Sequence, residues 1–172
     1  MITSKPIIVV MGVSGSGKST IGKLLSSQLS LPFYDADDFH SETNVTKMSQ
    51  GTPLNDQDRE PWLSVLFDNI NQWKEDKGAV LACSALKNSY RKTLDGDGRV
   101  DINWVYLSGT AELIASRLKS RQNHFMTEVL LESQFESLEY PQDALMIDID
   151  CTPTEIVDKI LSELNFLKKT NR

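Results

Sequence analysis

Gly12-Val13-Ser14-Gly15-Ser16-Gly17-Lys18-Ser19 fills every fixed position of the phosphate-binding pattern G-x-x-x-x-G-K-[ST]. The apolar run Ile7-Ile8-Val9-Val10-Met11 precedes it and reads as a buried strand. Ile21, Leu24, Leu25 and Leu29 follow at helical spacing, so the motif sits in the strand–loop–helix context it requires. A phosphate chain wrapped by backbone N–H groups leaves no room for side chains, which accounts for Gly12, Gly15 and Gly17. The helix beginning near Lys18 directs unpaired N–H groups and its positive dipole end at the phosphates, and the Lys18 ammonium bridges the β- and γ-oxygens. Ser19 places a hydroxyl on Mg²⁺, and the ATP-binding stretch runs from Gly12 through Val13, Ser14, Ser16 and Ser19 to Thr20.

Strand-like runs recur at Ile7 to Met11, around Phe33-Tyr34, at Ala79 to Cys83, at Asn103 to Leu107 and at Leu145 to Ile149, with helical patterns between them. This alternation predicts an α/β chain: a three-layer P-loop NTPase fold with a five-stranded parallel sheet and helices on both faces. After Pro61, Trp62, Leu66, Ile70 and Trp73 repeat at helical spacing and read as core. Thr152-Pro153-Thr154-Glu155 is a capping box with proline at the first helical position, opening a last amphipathic helix. Asp95-Gly96-Asp97-Gly98 reads as an exposed turn, since the further ligands of a calcium loop are missing.

With 172 residues, 40% hydrophobic and 24% charged, the chain is the size of one compact domain, and residues 1–172 are expected to form a single P-loop domain. A net charge of −6 lacks the basic excess of a non-specific nucleic-acid binder, so no nucleic-acid partner is expected. No apolar run approaches the roughly 18 residues of a membrane span and no cleavable leader is evident, so the expectation is a cytoplasmic protein without membrane contact. Cys83 and Cys151 lack metal-ligand spacing and read as reduced thiols.

What surrounds the phosphate loop narrows the class. A guanine-reading Asn-Lys-x-Asp segment is absent, as is the long apolar run ending in Asp-Glu of motor ATPases. Instead Asp35-Ala36-Asp37-Asp38-Phe39-His40 follows the second strand, where the carboxyl edge of the sheet faces the loop. Two carboxylates two residues apart there serve one cleft: one toward Mg²⁺, one toward a substrate hydroxyl.

At this point the chain resembles the gluconokinases of the shikimate-kinase-like small kinases, over most of its length and in five ordered blocks. After the phosphate loop come Asp35, Asp37, His40, Asn44, Lys47-Met48, Gly51, Pro53-Leu54, Asp56, Asp58-Arg59 and Pro61-Trp62. Then follow Cys83-Ser84-Ala85-Leu86-Lys87 with Tyr90-Arg91, Arg117 and Arg121 with His124-Phe125-Met126, and Leu130-Leu131 with Ser133-Gln134-Phe135 and Leu138-Glu139. Ala36 stands where the family usually has Gly, Ser41 and Thr127 where it has Pro, and Lys92 where an Asp commonly follows Tyr-Arg.

The resemblance implies transfer of the ATP γ-phosphoryl group to the 6-hydroxyl of D-gluconate, with ATP and Mg²⁺ as cofactors, a small helical lid over about 118–140 and a homodimer. Lys18, Asp37 and Arg121 are the expected catalytic residues: Asp37 orients the attacking hydroxyl, Asp35 and Ser19 hold the metal, and the two aspartates are exchangeable in these roles. Lys87 and Arg91, four apart, share one face if a helix follows the third strand and form a cationic clamp for gluconate, with His40 and Gln134 as further contacts. Arg117 is placed on adenine, Arg121 on the phosphates and His124 on substrate under the closed lid. Another small-molecule kinase, acting on shikimate, adenylylsulfate or a nucleoside monophosphate, and a non-catalytic nucleotide switch stay open as alternatives.

Overall fold

The computed structural model describes residues 5–121 and 128–170. Five strands, β1 (Ile7–Met11), β2 (Phe33–Asp35), β3 (Ala79–Ala82), β4 (Ile102–Ser108) and β5 (Leu145–Asp148), pair in the order β2-β3-β1-β4-β5, every pair parallel. Parallel strands need crossovers, and helices supply them: α1 (Lys18–Leu29), α2 (Glu42–Ser49), α3 (Asp56–Glu75), α4 (Asn88–Asp95), α5 (Ala111–Lys119) and α6 (Glu128–Ser137), with α7 (Pro153–Thr170) following β5.

β1 is the centre of the sheet, and all five of its residues are buried. Its alternating side chains feed two cores. Ile7, Val9 and Met11 pack with Trp62, Leu66, Ile70 and Leu94 of α3 and α4, while Ile8 and Val10 pack with Ile21, Leu25, Ile114 and Ile160 of α1, α5 and α7. At about 1.5–3 kcal/mol per buried aliphatic side chain, this strand anchors both layers and fixes where the loop after it emerges. The three-layer architecture is the one the strand pattern predicts.

The start of α3 differs from the sequence reading. α3 begins five residues before Pro61, at a reciprocal cap in which the Asn55 side chain accepts from Asp58 N and Asp58 accepts from Asn55 N (2.8 and 2.9 Å). This cap holds Pro61 inside the helix, although proline supplies no N–H for the carbonyl four residues back. The box at Thr152 and Glu155 forms as expected, with Thr152 N donating to Glu155 Oε2 at 2.8 Å. Both cysteines are free, Cys83 buried and Cys151 half-buried. No helix among the described residues is long and apolar enough to cross a membrane.

The turn entering β3 depends on a glycine. Gly78 has φ +81°, and a Cβ there would lie 2.4 Å from the Pro6 carbonyl oxygen, which receives the Ala79 N–H. Gly78→Ala should therefore cost about 2 kcal/mol or more through backbone strain and the clash. Thermal unfolding should show the midpoint lowered by roughly 4–8 °C; an unchanged midpoint would mean that the turn relaxes freely.

Candidate active site

The phosphate loop leaves β1 at the carboxyl edge of the sheet and turns into α1 through three left-handed glycines, Gly12 (φ +149°), Gly15 (+82°) and Gly17 (+99°). Their reasons differ from one another. A Cβ at Gly12 would lie 3.0 Å from the Leu107 carbonyl oxygen, and one at Gly15 would lie 2.8 Å from Leu118 Cγ, so these two are required by packing behind the loop. At Gly17 the nearest protein atom would be 3.9 Å away, so only this glycine keeps clear space in front of the helix.

That helix end is also left open. α2, α3, α5 and α7 each receive a side-chain cap, from Ser41, Asn55, Thr110 and Thr152, and α4 has Glu139 Oε2 on its first N–H. The N-terminus of α1 has no side-chain cap. Unpaired N–H groups and the positive dipole end there suit an anion. The Lys18 ammonium curls back to donate to the Val13 carbonyl at 3.0 Å. Burial lowers its pKa, with Asp37 the largest opposing pull.

Asp35, the last residue of β2, accepts from the Ser19 hydroxyl through Oδ2 (2.8 Å) and from Asp37 N through Oδ1 (3.0 Å). A hydroxyl and a carboxylate in contact beside the phosphate loop form an all-oxygen donor pair of the kind a hard divalent cation takes. Asp37 lies one turn further out, its side chain 82% exposed to the cleft. Desolvation by the surrounding protein and then the charge of Asp35 push its carboxyl up, against the pull of Lys18.

Two cavities meet at Asp37. One, of about 530 Å³, is lined by the phosphate loop with Ser19, Thr20, Asp35, Cys83 and Arg121. The other, of about 500 Å³, is lined by Val45, Met48, Leu54, Arg59, Leu86, Leu130 and Ser133. Ser14, Asp37, Met48 and Gln134 line both. A larger cavity of about 1050 Å³, beside α4 and β4, shares no residue with the phosphate loop and lies apart from this chemistry. Cys83 sits at the cleft floor as a neutral thiol, its pKa pushed up to about 12 by burial.

The expected clamp of Lys87 with Arg91 does not form. α4 starts at Asn88, so Lys87 precedes the helix in extended backbone and the two side chains part. Lys87 binds Asp56 at 2.9 and 3.2 Å, whereas Arg91 is buried and donates to the carbonyls of Ala85, Leu86 and Glu139 at 2.7, 3.1 and 2.9 Å. Arg91 ties the β3–α4 loop to the end of α6, and neither residue lines the two cavities. The guanidinium that does line the second cavity is Arg59, held by the Leu54 carbonyl and by the Tyr90 hydroxyl (3.2 Å). It stands in the block carrying the resemblance, and its signal was the N-cap at Asn55, which places it on the first turns of α3.

His40 is also displaced from its expected place. Its side chain is 4% exposed, stacked on Trp62 with centroids 4.3 Å apart and planes 14° from parallel, and it lines neither cavity. Gln134 does reach the cleft, where its Oε1 accepts from Ser14 N at 2.6 Å. Arg121 lines the phosphate cavity, and Arg117 donates to the Ile149 carbonyl at 2.6 Å, at the end of β5. His124 and part of the expected lid lie outside the described residues.

The shikimate kinase family model matches residues 14–165. A probable gluconokinase of Xenopus tropicalis is 44% identical, the match covering 92% of this chain and 93% of that protein. The thermoresistant gluconokinase of Escherichia coli is 42% identical over 95% of this chain and 94% of its own length. The chain belongs to the gluconokinase family. A crystal structure of a gluconokinase from Sinorhizobium meliloti superposes with a TM-score of 0.88 at 38% identity, covering 96% of this chain and 94% of that one. A shikimate kinase from Aquifex aeolicus, 20% identical with a TM-score of 0.58, shares the fold. Membership in a kinase family implies ATP as the phosphoryl donor.

Burial, then the charge of Arg59, lowers the His40 pKa from 6.5 to about 4. Because the folded ring resists protonation, folding stability is full above pH 6.5 and falls as the pH drops toward 4, by about 3 kcal/mol at roughly 1.4 kcal/mol per pH unit. Urea unfolding of the wild type and of His40→Gln at pH 7 and pH 4.5 should show the wild type losing more stability on acidification; parallel losses would contradict a neutral buried ring.

Proposed function

We infer that this chain transfers the γ-phosphoryl group of ATP to the 6-hydroxyl of D-gluconate, giving 6-phospho-D-gluconate and ADP. The observation that carries this reading is the position of Asp37, the one ionisable side chain among the described residues that lines both the phosphate cavity and its neighbour. A donor phosphate on one side and an acceptor hydroxyl on the other meet there, and the gluconokinases that resemble this chain along nearly its whole length supply the acceptor's identity.

In-line phosphoryl transfer needs positioning and charge stabilisation more than covalent help. Gly17, the open N-terminus of α1 and Lys18 hold the phosphates, and Arg121 adds positive charge from the opposite wall. Ser19 and Asp35 are the residues that would hold Mg²⁺, which neutralises phosphate charge when bound. Asp37 orients the 6-hydroxyl and takes its proton as the new O–P bond forms and the bond to the ADP oxygen breaks, a transfer that is late in a loose transition state. Arg59 pairs with the gluconate carboxylate, while Ser133 and Gln134 offer hydrogen bonds to the polyol and Met48, Leu54 and Leu86 cover its C–H edges. Arg117, fixed at the end of β5, flanks the place of the adenine, and α6 supplies one wall of the site.

ADP release with Mg-ATP should require D-gluconate and be absent with shikimate, adenylylsulfate, nucleoside monophosphates or no acceptor. Asp37→Asn should lower kcat by about 10²-fold or more with its melting midpoint kept. Arg59→Met should raise the gluconate KM by about tenfold or more and leave the ATP KM unchanged. Release that ignores gluconate, or an Asp37→Asn enzyme at wild-type rate, would overturn the assignment.

A further inference from the structure

Asn44, Ser16 and Arg91 are the buried polar or charged side chains among the described residues. Arg91 is satisfied by three carbonyls; Asn44 is satisfied in a way that reaches the reacting groups. Its Nδ2 donates to the Asp58 carbonyl at 2.8 Å. Turning the amide over would set oxygen against oxygen, so this carbonyl fixes which end of the amide carries the hydrogens. The second hydrogen on the same nitrogen faces His40 Nδ1, 3.4 Å away.

A donor aimed at Nδ1 requires a lone pair there, which places the single proton of a neutral imidazole on Nε2. The ring is in turn held flat against Trp62, whose indole N–H donates to the Ala36 carbonyl at 2.7 Å, in the turn that carries Asp37. Flipping the ring would present a C–H to Asn44 and leave a buried amide hydrogen unpaired. In the orientation found, Nε2 lies 3.9 Å from Asp37 Oδ1, beyond a hydrogen bond but within reach of a small rotation of the exposed carboxylate.

We propose that Asn44 is a positioning residue for phosphoryl transfer, its buried amide setting the His40 tautomer so that Nε2–H is presented to Asp37. That N–H engages one carboxylate oxygen and aims the other at the acceptor hydroxyl. The ring works as a fixed dipole, facing Asp37 and Arg59 among charged groups, and it stays uncharged far below neutral pH. This explains why a histidine of the substrate block is turned away from both cavities. The inference rests on the role given to Asp37.

The chain has two histidines, so long-range ¹⁵N–¹H correlation of the imidazoles reads the tautomer in the intact enzyme, with His40→Gln assigning the signals. At pH 7 His40 should show an unprotonated Nδ1 and a protonated Nε2. Asn44→Asp, which offers Nδ1 only acceptors, should move the proton to Nδ1 and lower kcat about tenfold at unchanged ATP KM. His40→Gln, which places an amide N–H near the position of Nε2, should keep more activity than His40→Asn, and this pair decides the matter if Asn44→Asp fails to fold. A wild-type His40 protonated on Nδ1, an Asn44→Asp enzyme with the proton unmoved, wild-type kcat with the proton moved, or equal activity of the Gln and Asn variants would overturn the proposal. Full activity of Asp37→Asn would instead remove the role of Asp37 while leaving the tautomer result standing.

Discussion

The Asp35 carboxylate joins the two halves of the cleft. Its Oδ2 holds the Ser19 hydroxyl on the first turn of α1, and its Oδ1 holds the backbone N–H of Asp37. It stands at the end of β2, an edge strand whose register against β3 is fixed by Asp35 opposite Ala82. A shift of β2 by one residue would turn this carboxylate to the other face of the sheet and separate the first turn of α1 from the turn that carries Asp37. The order of the sheet, with β1 and β3 adjacent and the loop and turn at one edge, makes the contact possible.

Around that contact, polar side chains join neighbouring elements. Arg91 spans Ala85, Leu86 and Glu139, and so fixes the end of α6 against the β3–α4 loop. Gln134, on the same helix, accepts from Ser14 N, an amide of the phosphate loop itself. On the other wall, Asp56 joins Lys87 and Tyr90, and Tyr90 steadies Arg59. Lys87 and Arg91, assigned to substrate from the sequence, thus tie neighbouring elements together.

The fold was legible in the sequence because its signals are local: the apolar run of β1, the glycine loop, the helical spacing of Ile21 and Leu25, and the cap at Thr152. The turn from β1 into α1 was legible for the same reason, since a motif of adjacent residues fixes its own geometry. The side chains around the neighbouring cavity were not, because there direction depends on where helices begin. One residue at the start of α4 places Lys87 outside the helix and removes the shared face expected with Arg91. The unrecognised cap at Asn55 starts α3 earlier and brings Arg59 to the cavity. For His40, the stacking partner Trp62 is 22 positions away, a pairing that periodicity does not report. Gly12 and Gly15 were read as phosphate positions, yet their neighbours Leu107 and Leu118 come from distant elements.

In the proposed reaction Asp37 brings the terminal hydroxyl of gluconate to the phosphate held by Lys18 and α1. Phosphorus-31 NMR of the products, coupled to proton assignment of the sugar acid, reads where the phosphoryl group lands. A single phosphomonoester on carbon 6 should form, with ADP in equal amount. Inorganic phosphate as the main product, or an ester at any other carbon, would contradict it.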